Sequence, residues 1–135
     1  MENFEGNLLF DSACYDKGKL ERIHKYATQL KIFTEGLDFE TYRNNLQANY
    51  ACTFALMQIG TISNRMTNEL LTQLPIPLRA IISARNASVH GHSTSHKEII
   101  WNEIEKNIPT LITKLNELLL LCDEGGCKLE EGVKK

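Results

Sequence analysis

Between Ala48 and Ile62 the chain carries Tyr50, Ala51, Cys52, Phe54, Leu56, Met57 and Ile59 and no charged residue. Wound into a helix, these side chains point almost all the way round. That is the pattern of a central helix enclosed by others. No stretch of the chain alternates apolar and polar residues as a half-buried strand would. The fold class that follows is all-α, a compact bundle of four to five helices with short connections.

The neighbouring segments supply the walls. From Lys17 to Glu35, Leu20, Ile23, Ala27 and Leu30 fall on one stripe, and Gly36 stops the helix. Asp38 suits the N-cap of a long helix from Phe39 to about Met66, within which Gly60 implies close helix packing or a bend. A short turn over 68–74 leads to Pro77, placed to open the helix "PLRAIISARNASVH", which Gly91 ends by adopting the left-handed conformation. Ser95 and Glu98 read as a capping box for the next helix, which carries Ile99, Ile100 and Ile104. Pro109 kinks that helix or starts another, running to Leu121 with Leu111, Ile112, Leu115, Leu118 and Leu119 inward. The expected organisation is one domain over residues 1–122 and a flexible polar tail, "DEGGCKLEEGVKK", over 123–135.

Composition excludes several classes of function. No apolar run approaches the roughly 20 residues of a membrane span, and the acidic N-terminus is unlike a secretory leader. The four cysteines, at 14, 52, 122 and 127, include no CxxC pair, so reduced thiols in a cytoplasmic setting are expected rather than a disulfide or metal site. A net charge of −2 argues against nucleic acid wrapping the whole surface. Its distribution says more. Between Thr41 and Lys97 the only acid is Glu69, against Arg43, Arg65, Arg79, Arg85 and Lys97. Buried helices carry few charges of either sign, and a local anion site would leave the same imprint.

Chemistry concentrates in "ARNASVHGHSTSH", where His90, His92 and His96 fall within seven positions. A helix stop and a new cap separate His92 from His96, and no Asp, Glu or Cys lies within the stretch to complete a metal shell. The nearby serines lack a carboxylate that could orient a histidine for nucleophilic catalysis. Neither a metal nor an organic cofactor is expected. Asn86 and His90, four apart, share a helix face, and Arg85 lies about 140° round from His90 at roughly 100° per residue. Arg offers a fixed positive fork for phosphate oxygens, and His can move a proton either way near neutrality. Together they suit attack on a phosphodiester by RNA's own 2′-hydroxyl. The same residues also read as an exposed Arg, a helix Asn and a His at a helix C-terminus, where its cation meets the dipole favourably.

"RNASVH" fits an R-x4-H pattern, and from about Leu20 to Leu120 the chain resembles the HepT-like branch of the HEPN superfamily. The resemblance extends over "LPIPLRAIISARNASVHGH", over "IIWNEIEKNIPTL" and over "QIG" at 58–60. It implies a bundle that dimerises and brings two R-x4-H motifs to one cleft. It implies a metal-independent endoribonuclease toxin, held in check by a minimal nucleotidyltransferase antitoxin. Arg85 would stabilise the charged phosphate, His90 would act as general base or acid, and Asn86 would orient one of them or the scissile phosphate. Relatives typically continue R-x4-H-x-Y, with the tyrosine modified by the antitoxin; here that position is His92. Many relatives also carry an acid where this chain has Thr61. The rival implication is a non-catalytic, substrate-binding partner subunit of a nucleotidyltransferase.

Overall fold

The computed structural model describes residues 2–127, with side chains described from Leu9 onward. Among the described residues eight helices follow one another: α1 Glu2–Tyr15, α2 Lys17–Thr34, α3 Phe39–Arg43, α4 Leu46–Ser63, α5 Asn68–Leu71, α6 Leu78–His90, α7 Thr94–Lys106 and α8 Ile108–Gly125. No strand occurs among the described residues. Five of the longer helices close a ring of neighbours, α2 against α4, α4 against α6, α6 against α7, α7 against α8, and α8 back onto α2. This is the expected all-α bundle. Around it α1 lies across α8 and α5, while α3 bridges α4 and α7.

The core is built from the predicted stripes. Leu20, Ile23, Ala27 and Leu30 of α2 are fully buried, as are Cys52, Leu56 and Ile59 of α4. Leu111, Leu115 and Leu118 of α8 point inward with Ile100 and Ile104 of α7, whereas Ile112 and Leu119 only flank the core. Burial pushes the Cys52 thiol up to about 12, which leaves it an apolar filler at neutral pH. No described helix is long and apolar enough to cross a membrane.

Several local expectations are corrected. The long helix from Phe39 to Met66 is two helices, because Asn44 and Asn45 interrupt it and the Asn45 side chain caps α4 by accepting from the Ala48 amide at 3.0 Å. Asp38 does cap its helix, accepting from the Thr41 amide at 2.8 Å. Pro77 precedes α6 as its cap residue and does not form its first turn. The cap of α7 is Ser93, which accepts from the His96 amide at 3.2 Å, and Ser95 lies inside the helix. Pro109 starts α8 without kinking α7. Tyr50 and Phe54 of the supposedly enclosed helix are each 56% exposed, with only an edge contact from Tyr26 of α2 on Phe54 and from His92 on Tyr50 among the described aromatic contacts.

The N-terminal segment, which carried no sequence expectation, forms α1 and is fastened by Asp16. That buried carboxylate accepts from the Thr67 amide at 2.8 Å and pairs with Lys19 at 3.1 Å. The expectation of reduced cysteines is corrected too, because Cys14 and Cys127 form a disulfide across 113 residues. α8 runs on to Gly125 before the chain turns at Gly126 to reach Cys127. The rest of the expected tail, 128–135, lies outside the described residues.

Candidate functional site

Arg85, Asn86 and His90 occupy the last turns of α6, and all three are exposed. Helix propagation explains the placement: Ala80, Ile81, Ala84 and Ala87 bury one side of α6, which leaves the opposite side for the polar residues. Gly91 then ends the helix at φ +98° and ψ 158°, an extended positive-φ conformation that other residues rarely adopt and not the left-handed one expected, and its amide donates to the Ala87 carbonyl at 2.8 Å. His90 is therefore fixed in the terminal turn.

The α4–α6 contact explains the Ile-Gly pair noticed in the sequence. A Cβ at Gly60 would lie 2.7 Å from Ile81 Cγ2 and 3.3 Å from Arg85 Nη2. The missing side chain lets the two helices close up and gives the Arg85 guanidinium a bed on α4. No carboxylate pairs with Arg85 among the described residues, and Thr61, next to Gly60, turns its hydroxyl back to the Met57 carbonyl at 3.0 Å. Arg85 also continues a stripe with Leu78, Ile82 and Val89, which are 63%, 55% and 74% exposed. Asn86 and His90 continue round the helix from Ile82 in steps of about 40°, which leaves His90 about 140° from Arg85.

One chain thus brings Asn86 and His90 together but sets Arg85 apart from them. Among the described residues no hydrogen bond joins the three side chains.

His92 takes a different path. In the connection between α6 and α7 it is half-buried, its Nε2 lies 2.9 Å from Thr53 Oγ1, and the Tyr50 ring meets it edge-on at 5.1 Å. Burial, then the positive charges of Lys97 and His96, lower its pKa from the usual 6.5 and keep the ring neutral at physiological pH. Lys97 is itself anchored, donating to the Arg43 carbonyl at 3.0 Å. Tyr50, Thr53, Ser88, His92 and Lys97 border a cavity of about 490 Å³ beside the R-x4-H helix.

Sequence reasoning missed Tyr50, Thr53 and Lys97. Leu46, Tyr50 and Phe54 recur every four residues and so share a face of α4, but apolar residues at that spacing read as inward, which hid their exposure. His96 enters the first turn of α7, so the three histidines do not converge. The one group of three or more Cys, His, Asp or Glu ligand atoms that does converge among the described residues is Cys14, Cys122 and Cys127.

Comparison with known proteins places the chain in a family. The model of the family described as ribonuclease HepT-like matches residues 23–118, from α2 into α8. A candidate RNase of Methanocaldococcus jannaschii is 25% identical over 96 residues, covering 70% of this chain and 88% of that protein. The probable ribonuclease HepT of Thermococcus cleftensis is 26% identical over 103 residues, covering 76% of this chain and 94% of the relative. A second candidate RNase of Methanocaldococcus jannaschii is 22% identical over 104 residues, covering 76% and 90%. No solved structure matches the chain.

Proposed function

The chain belongs to the ribonuclease HepT-like family, and from that premise we propose that it is a metal-independent endoribonuclease acting as the toxin of a toxin–antitoxin pair. The observation that carries the reading is Arg85, bedded on Gly60 without a carboxylate partner and one residue from the Asn86–His90 face. The RNA 2′-hydroxyl would attack the adjacent phosphorus, with His90 taking its proton or protonating the leaving 5′-oxygen. Arg85 would offset the charge that builds on the phosphoryl oxygens, and Asn86 would hold the scissile phosphate in line. These groups supply the proton transfer and charge stabilisation the reaction needs, so the proposed step calls on no cation.

The 140° between Arg85 and His90 favours a site shared by two copies. Leu46, Tyr50 and Phe54 on α4 are exposed, as are Leu78, Ile82 and Val89 on the Arg85 stripe of α6. A homodimer pairing these residues would bury the apolar groups and set the two motifs along one cleft. A minimal nucleotidyltransferase is the proposed antitoxin and the cytoplasm the proposed setting. Control by simple binding fits His92, which has no phenol to modify. The test is incubation of the purified chain with RNA in EDTA and analysis of the 3′ ends. Fragments ending in 2′,3′-cyclic phosphate support the proposal. RNA binding without cleavage would favour a non-catalytic partner subunit instead.

A further inference from the structure

We propose that Cys14, Cys122 and Cys127 form a three-thiolate centre for a thiophilic cation such as Zn2+, which forms when the Cys14–Cys127 disulfide is reduced. Cys14 and Cys127 come from opposite ends of the chain, and Cys122 from the last turns of α8. All three sulfurs lie within 4.8 Å of one another, and all three residues are buried. Thiolates bound to one zinc at about 2.3 Å would stand roughly 3.8 Å apart, so small side-chain shifts suffice to surround an ion. A disulfide needs two sulfurs; a third within the same span marks a ligand set. No histidine or carboxylate joins the group among the described residues, and an all-sulfur set selects soft cations over Mg2+ or Ca2+.

The fold brings these residues together deliberately. A Cβ at Gly125 would lie 2.3 Å from the Phe10 ring, so α1 crosses the end of α8 where only glycine fits. Gly126, at φ +67°, then turns the chain back and places Cys127 Sγ 3.6 Å from the Cys122 carbonyl oxygen. All three cysteines lie outside residues 23–118, the segment shared with the ribonuclease family. The centre therefore clamps α1 to α8 independently of the R-x4-H site and stands whether or not the chain cuts RNA.

The chemistry balances. A dithiol reductant delivers two electrons and two protons to the Cys14–Cys127 bond and leaves as its own disulfide. The cation then displaces one proton from each of three thiols. In the reducing setting proposed above, the disulfide opens and the three-thiol form is the one presented to the cation.

The test uses the full chain, reduced with dithiothreitol, desalted without oxygen and titrated with Zn2+ against a chromophoric chelator. The expected result is one Zn2+ per chain, lost after oxidation with diamide and weakened at least tenfold in Cys122→Ser. Should that variant not fold, alkylation of the wild type decides. Zn2+ must slow modification of Cys14, Cys122 and Cys127 together and leave Cys52 unaffected. No uptake by the reduced wild type, equal uptake by a folded Cys122→Ser, or protection of only two thiols overturns the proposal. Oxidised chains that mix Cys122 into disulfides, with no metal uptake when reduced, would make the cluster a thiol-exchange centre and overturn it too.

Discussion

His92 Nε2 lies 2.9 Å from Thr53 Oγ1, a bond between residues 39 apart that fastens the turn after α6 to the middle of α4. The turn follows immediately on His90, so this contact fixes where the candidate catalytic helix ends. The burial of His92 in that turn also gives a pH dependence. Folded His92 has a lowered pKa, through burial first and then Lys97 and His96, whereas the unfolded residue titrates near 6.5. Below that value the unfolded chain binds more protons than the folded one. Stability is therefore full above about pH 6.5 and declines as pH falls through the lowered folded pKa. His92→Gln should flatten this slope in denaturant unfolding measured at several pH values. An unchanged slope would remove His92 as its source.

Gly60→Ala tests the α4–α6 approach. The new methyl would meet Ile81 Cγ2 at 2.7 Å, a branched atom of the buried core that cannot swing aside. Alanine gains about 1 kcal/mol of helix propensity, but overpacking costs about 1–3 kcal/mol. Net destabilisation in thermal unfolding is expected, together with slower RNA cleavage because Arg85 loses its bed. A more stable variant would show that the helices can part freely.

Ile82→Glu tests the shared cleft. Ile82 is 55% exposed on the Arg85 stripe, so a charge there should leave the monomer folded within about 0.5 kcal/mol. Sedimentation should shift from dimer to monomer, and cleavage should fall with it. A monomeric variant that cuts RNA at the wild-type rate would place the whole site in one chain.

Opening the Cys14–Cys127 bond tests the clasp. The bridge spans 113 residues, a loop for which chain entropy gives about 5 kcal/mol, with about 2–4 kcal/mol typical. Cys14→Ser should lower stability by that order under oxidising conditions. It should change little in metal-free reductant, where the wild type has lost the same bond.

The sequence made the R-x4-H helix legible because three local signals agree there: an apolar stripe, a Pro-containing entry and a glycine stop. The core stripe of α2 was legible for the same reason, since Leu20, Ile23, Ala27 and Leu30 need only a 3.6-residue period. What escaped depends on distance or on competition between near-equal neighbours. Ser93 and Ser95 both suit a cap, and the structure uses the earlier one. Asn44 and Asn45 are weak breakers inside an otherwise helical pattern, and their side-chain bonds to backbone proved enough to split it. The disulfide and the Thr53–His92 bond join residues 113 and 39 apart, which no local period encodes.

The central claim is that His90 moves a proton in RNA cleavage, and the most direct measurement is the cleavage rate of wild type and His90→Ala in EDTA. His90 is exposed, so its removal should leave helicity and the dimer intact. The account predicts that wild type cuts in EDTA and that His90→Ala is slower by about 10²–10⁴-fold, the usual contribution of a positioned acid or base. Equal rates for the two proteins, or wild-type cleavage abolished by EDTA, would contradict it.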